Sequence, residues 1–112
     1  MYSNEEIMQF VSIVVEVVDP VRIILFGSYA YGKPGEKSDL DLLVIKKGND
    51  ISFDDEAKLA VAVFRKRNLH RIGTQYDLFI RSEDQVQKFA KKGGAMYDAI
   101  QRGKVVYERV YQ

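Results

Sequence analysis

The chain has 112 residues, 46% hydrophobic and 29% charged, with a formal net charge of +1 and no cysteine. That length supports one hydrophobic core and not two, so a single domain spanning residues 1–112 is expected. The near-neutral charge argues against a strongly basic surface for direct nucleic-acid binding, and the missing cysteines exclude disulfides, thiolate catalysis and thiolate zinc sites.

Ser3-Asn4-Glu5-Glu6 reads as a capping box, with Tyr2 and Ile7 placed as a hydrophobic staple. It opens a helix whose stripe is Ile7, Phe10, Val11, Val14 and Val18, and Pro20 ends it. Val21 to Phe26 is almost wholly apolar, as a strand covered on both faces would be. A short helical turn follows from Ser28. The turn-forming segment Lys33-Pro34-Gly35-Glu36-Lys37 leads to a second strand over Leu40 to Lys46.

Lys47-Gly48-Asn49-Asp50 reads as a turn. Ser52 or Asp54 then starts a long helix predicted to bury Ala57, Ala60, Val61 and Phe64 on one side and to end near Leu69. Its cationic tail, Arg65-Lys66-Arg67 with His70 and Arg71, reads as a solvated basic end favoured by the helix C-terminus. A contact surface for an acidic partner is the rival reading. A third strand is expected over Gln75 to Ile80. Ser82-Glu83-Asp84-Gln85 is a second capping box, opening a helix that stops at Gly93-Gly94. Ala95 to Arg102 forms a last short helix, and Val105 to Tyr107 adds an edge strand. Helices alternating with strands predict an α/β sandwich built on a small mixed sheet flanked by helices.

The chemistry concentrates between the first two strands. One apolar run ends in Gly27-Ser28; after ten turn-like residues the next begins Asp39-Leu40-Asp41. Strand side chains alternate, so Asp39 and Asp41 share a face while Leu40 and Leu42 point to the core. Like charges on one face repel, and a hard divalent cation such as Mg²⁺ is the natural group between them. The bland alternative is a solvated strand start. Asp41, however, runs straight into apolar sequence, and a buried carboxylate without a partner is expensive. Gly27 permits a sharp exit and a close backbone approach. Ser28 is predicted to cap the short helix and to offer a hydroxyl beside backbone N–H groups, a small phosphate site. Asp77, inside Gln75-Tyr76-Asp77-Leu78, is the third candidate acid, provided that the third strand lies beside the second. Otherwise it is an edge-strand charge that guards against aggregation. Asp54, Asp55, Asp84 and Asp98 read as helix-start acids. Lys46 and Lys47 read as solvated strand-end lysines, with a contact to nucleotide phosphates as the alternative.

Gly27-Ser28, ten residues and Asp39-x-Asp41, between apolar strands, resemble the motif of the DNA polymerase β-like nucleotidyltransferase superfamily. Gly-Ser-Tyr-Ala-Tyr-Gly followed by Ser-Asp-Leu-Asp-Leu is most similar to its minimal nucleotidyltransferases (MNT proteins), many of which are antitoxins paired with a HEPN-domain toxin. The resemblance runs from the first helix to Tyr107. It implies the polymerase β-like fold and Mg²⁺-dependent transfer of AMP from ATP to a hydroxyl. It also implies two Mg²⁺ ions on Asp39, Asp41 and Asp77, with Gly27 and Ser28 binding phosphate. A later strand supplies the third acid, and Asp77 could also accept the hydroxyl proton. The chain departs from many members at Tyr31, where they carry Arg; tyrosine cannot supply that charge to the carboxylates or the triphosphate.

The resemblance further implies a HEPN toxin as acceptor, modified on a side-chain hydroxyl such as tyrosine. Larger relatives add an acceptor domain, so an acceptor docking from outside is expected; homo-oligomerisation is compatible with the length. The alternatives are an antitoxin acting by binding, weakly catalytic or not at all, and a small-molecule (antibiotic) nucleotidyltransferase. Glu5 and Glu6 stand where a secretory leader would be basic, and no apolar run approaches the roughly 20 residues that span a bilayer, so a cytoplasmic location is expected.

Overall fold

The computed structural model describes residues 2–69 and 75–110. Among them, helices α1 (Asn4–Val18), α2 (Ser28–Tyr31), α3 (Phe53–Leu69), α4 (Glu83–Ala90) and α5 (Ala95–Arg102) alternate with strands β1 (Arg22–Phe26), β2 (Leu40–Lys46), β3 (Tyr76–Ser82) and β4 (Lys104–Glu108). The sheet order is β3-β2-β1-β4. β1 pairs antiparallel with both β2 and β4, whereas β2 and β3 run parallel, their crossover made by α3. The sheet is mixed and the fold is α/β, as the alternating pattern predicts.

Period-2 alternation divides the apolar side chains between two layers. Ile23, Leu25, Leu40, Leu42, Val44 and Ile80 pack with the stripe of α1 and with Val63 of α3. Ile24, Phe26, Leu43 and Ile45 face the other way, against Val86 of α4 and Met96, Ala99 and Ile100 of α5. β1 and β2 are therefore covered on both faces.

Local signals set the helix ends. Both capping boxes form: Ser3 with Glu6, and Ser82 with Gln85. The Ser82 hydroxyl also donates to Asp50 Oδ1 at 2.7 Å. α1 closes on Asp19 in the left-handed region (φ 55°), just before Pro20, and Arg109 holds the Asp19 carboxylate. Ser52 accepts from Asp55 N–H at 3.1 Å at the start of α3.

α3 departs from the expected packing. Val61 and Phe64 are each about half exposed and Ala57 is exposed, whereas Val63 is fully buried and Arg67 is 4% exposed. The inward stripe is Val63 and Arg67, both buried, with Glu56, Leu59 and Ala60 partly buried; it keeps Ala60 of the expected face and is rotated away from Ala57, Val61 and Phe64. Polar partners explain the rotation. Glu56 accepts from Ile80 N–H at 2.9 Å and pairs with Arg81, tying α3 to β3. Lys66 pairs with Glu16 of α1. Arg67 lies 4.1 Å over the Phe64 ring and hydrogen-bonds Tyr76. Lys66 and Arg67 are thus packing residues and not a solvated tail; His70 and Arg71 lie outside the described residues. Lys46, partly exposed, is not simply a solvated lysine: its ammonium donates to Val18 O at the end of α1, and it ends β2 at the side away from Asp41.

Candidate active site

The site lies at one end of the sheet, where β1 ends and β2 and β3 begin. Strand register places Asp41 in the middle, opposite Phe26 of β1 on one side and Asp77 of β3 on the other. Asp41 is half-buried, whereas Asp39 and Asp77 are exposed. Asp77 reaches Asp41 because β3 adds in parallel beside β2, the pairing on which the sequence reading depended. Asp41 and Asp77 share a hydrogen bond, and the Asp39 charge acts on Asp41 from just before the strand.

Asp41 carries the electrostatic signature of the site. Burial first, then the charges of Asp77 and Asp39, then the hydrogen bond with Asp77 push its carboxyl up to about 6. The Phe26 and Phe79 rings, 5.8 Å apart, lie on the same face of the sheet. A carboxyl held this far above its usual range, beside two others, is a functional-site signal.

Gly27 meets this carboxylate from β1. Its φ of 74° and ψ of −157° belong to glycine, and a Cβ built there would overlap Asp41 Oδ2. The backbone of the turn thus comes close to the acidic group. Gly27 itself, not Ser28, is the N-cap of α2, and no side chain caps that helix. Ser28 is the first helical residue, partly exposed, so the expected capping role is not made. Ser28 is partly exposed beside this turn. Residues 35–38 form a turn in which Gly35 N–H donates to Ser38 Oγ at 2.9 Å, leading the chain into Asp39.

The donor set suits a hard cation. It is all carboxylate oxygen, and its mutual repulsion, visible in the raised Asp41, is what a divalent ion relieves. Among the described residues, no three acid, histidine or cysteine side chains are arranged as a ready metal cage. The protein provides one close pair, Asp41 and Asp77, with Asp39 adjacent, which fits a Mg²⁺ that takes its remaining ligands from substrate phosphates and water.

Two features of this end were not legible in the sequence. An apolar cleft between α3 and β3 is lined by Ala60, Val61, Phe64, Tyr76, Asp77 and Leu78. The Arg102 guanidinium, at the end of α5, lies 4.0 Å over the Tyr31 ring of α2. Nothing local in the sequence links Arg102 to the Gly27 turn.

No helix among the described residues is long and apolar enough to cross a membrane. No curated protein matches the sequence. Solved structures share the fold, two of them at 17% identity. One is a candidate nucleotidyltransferase from Sulfolobus solfataricus, 17% identical over 94% of this chain and 86% of its own, with a TM-score of 0.58. The other is a chain of a toxin–antitoxin crystal structure with AMP-PNP, 17% identical over 96% of this chain and 75% of its own, with a TM-score of 0.56. The family profile described as "Polymerase beta, Nucleotidyltransferase" matches residues 8–112. The chain belongs to that polymerase beta nucleotidyltransferase family and is an enzyme of the nucleotidyltransferase class.

Proposed function

We propose that residues 1–112 form a minimal nucleotidyltransferase domain that moves AMP from ATP to a hydroxyl of a partner protein, a HEPN-type toxin silenced by the modification. The observation that carries this reading is the facing pair Asp41 and Asp77 against the Gly27 turn. The fold shared with a toxin–antitoxin chain crystallised with AMP-PNP supports the nucleotide and the kind of partner.

In this reading the acceptor oxygen forms a bond to the α-phosphorus of ATP, and the bond from that phosphorus to the β-phosphate bridging oxygen breaks. Pyrophosphate departs, and the hydroxyl proton passes to the Asp77 carboxylate. Asp41 and Asp77, with Asp39 beside them, are the residues that hold Mg²⁺. Bound there, it neutralises phosphate charge and lowers the pKa of the attacking hydroxyl. Ser28 and the backbone N–H groups after Gly27 hold the phosphate tail, so the protein contributes mainly position and preorganised charge. The apolar cleft between α3 and β3, whose lining includes Asp77, is the surface on which the acceptor docks beside the pair.

The test is to incubate the protein and the product of a neighbouring HEPN-type gene with ATP and Mg²⁺, then weigh the partner by mass spectrometry. Addition of AMP units with wild type, and none with Asp41→Asn or Asp77→Asn, is the expected result. An unmodified partner that is still neutralised by both variants would reduce the protein to a binding antitoxin.

A further inference from the structure

We propose that Arg102, shelved on the Tyr31 ring, is the clamp for the β- and γ-phosphates of the nucleotide; this rests on the nucleotidyl-transfer reading and extends its site to α5. Three observations place Arg102 there. First, α5 packs on the sheet face that carries Leu43 and Ile45, which by alternation is the face of Asp41. Second, Arg102 lies at the right end of that face. Gly103, the next residue, sits so close to β1 that a Cβ on it would overlap Ile24 Cγ2 and come within 2.9 Å of Leu25 O. Lys104 then pairs with Leu25, next to the Phe26 that faces Asp41. β4 and β2 are two strand spacings apart, about 10 Å, a span that a triphosphate tail can bridge. Third, the guanidinium is positioned and only loosely paired. Its central carbon lies 4.0 Å from the centre of the Tyr31 ring, and its ion pair with Asp98 spans 3.8 Å, beyond hydrogen-bond distance.

Stacking fixes the plane of an arginine and leaves the edge of the fork free. That edge matches two oxygens of a phosphate, and less rotamer entropy is lost on binding because the aromatic shelf already holds the group. Arg102 and Tyr31 remain 56% and 37% exposed, so a ligand can reach them. The charge also suits the reaction. Asp39, Asp41 and Asp77 repel a phosphate tail, and a cation on the far side of the Gly27 turn holds that tail away from the acids while the α-phosphate stays beside them. The departing pyrophosphate is then bound where its negative charge develops.

Calorimetric titration with ATP and with AMP, both with Mg²⁺, tests the assignment. Arg102→Gln is expected to weaken ATP by about tenfold or more and to leave AMP within about twofold of wild type. Tyr31→Ala weakens ATP less, through loss of the shelf, and Arg102→Lys restores only part of the affinity because an ammonium lacks the planar fork. Lys58→Gln, the same charge change on α3 across the sheet, leaves both affinities unchanged. ATP affinity of Arg102→Gln within about twofold of wild type, in a protein whose wild type transfers AMP and whose Asp41→Asn variant does not, overturns the Arg102 assignment alone. Equal weakening of ATP and AMP also overturns it. A wild type that binds neither nucleotide removes the nucleotidyl-transfer reading and the clamp together.

Discussion

The Asp41 carboxylate fills the space that a side chain at residue 27 would need: a Cβ on Gly27 would overlap Asp41 Oδ2. The Gly27 turn and the acid of β2 are thus one steric unit, although a loop separates them in the chain. Gly27→Ala is expected to cost about 1–3 kcal/mol from its backbone conformation alone and to displace the carboxylate. Urea denaturation measures the first effect. Transfer of label from ATP, measured under conditions where the variant is still folded, measures the second. Stability and transfer both equal to wild type would show that the close approach has no role.

Asp41 predicts a pH dependence whose sign is fixed by the direction of its shift. Its folded-state value, about 6, lies above its ordinary 3.8. Its contribution to stability is therefore fully present below that ordinary value and is lost as pH rises through about 6. In metal-free buffer, wild type should lose melting temperature between pH 4 and 7 from this group. Asp41→Asn should be the more stable protein at neutral pH, by on the order of 1 kcal/mol once solvent screening of a half-exposed group is allowed for. Mg²⁺ should raise the melting temperature of wild type at pH 7.5 and leave Asp41→Asn unmoved, by linkage to the folded state. A variant that melts lower than wild type in the absence of metal contradicts the electrostatic account.

Asp77 acts on Asp41 through its charge and its hydrogen bond. Removing the charge in Asp77→Asn is expected to bring the Asp41 titration down toward the usual carboxylate range, read from the ¹³C carboxyl resonances as pH is varied. Transfer activity should be lost at the same time, while the exposed, edge-strand position keeps the stability change within about 1 kcal/mol. An unmoved Asp41 titration would mean that burial and the Asp39 charge raise it without Asp77.

The rotated face of α3 makes a paired prediction. Val63→Ala, at a fully buried position, should cost about 1–3 kcal/mol, whereas Val61→Ala, at a half-exposed one, should stay within about 0.5 kcal/mol. Arg67→Ala should cost about 2–4 kcal/mol, because it removes the stack on Phe64 and leaves Tyr76 without its partner, while Arg65→Ala stays near zero. Chemical denaturation of the four variants checks the order, and equal costs at 61 and 63 would refute the packing seen here.

The two capping boxes, Pro20 and the apolar runs placed most element boundaries within a few residues, because those signals act between neighbours in the chain. The face of α3 is not legible locally, for a complementary reason. Its apolar residues are spread around the helix, and Glu56 and Arg67 decide the orientation by bonding to Ile80, Arg81 and Tyr76 of β3. The contact of Lys46 is hidden from local sequence likewise, since the carbonyl it caps belongs to Val18 of α1. Ser28 as a cap was a fair expectation from composition, but the backbone of Gly27 takes that position at a dihedral only glycine adopts freely.

By itself, the amino-acid order determined the strands and helices, the two-sided burial of β1 and β2, and the identity of the acids around Gly27 and Ser28. These follow from side-chain periodicity and local hydrogen bonding. Only the tertiary structure decided that β3 joins in parallel with Asp77 opposite Asp41, that Gly27 leaves room for that carboxylate, and that Arg102 comes to rest on Tyr31. Those juxtapositions depend on the crossover through α3 and on how α5 packs against the sheet. They are set by the burial of both apolar faces at once, a constraint that no short stretch of sequence contains.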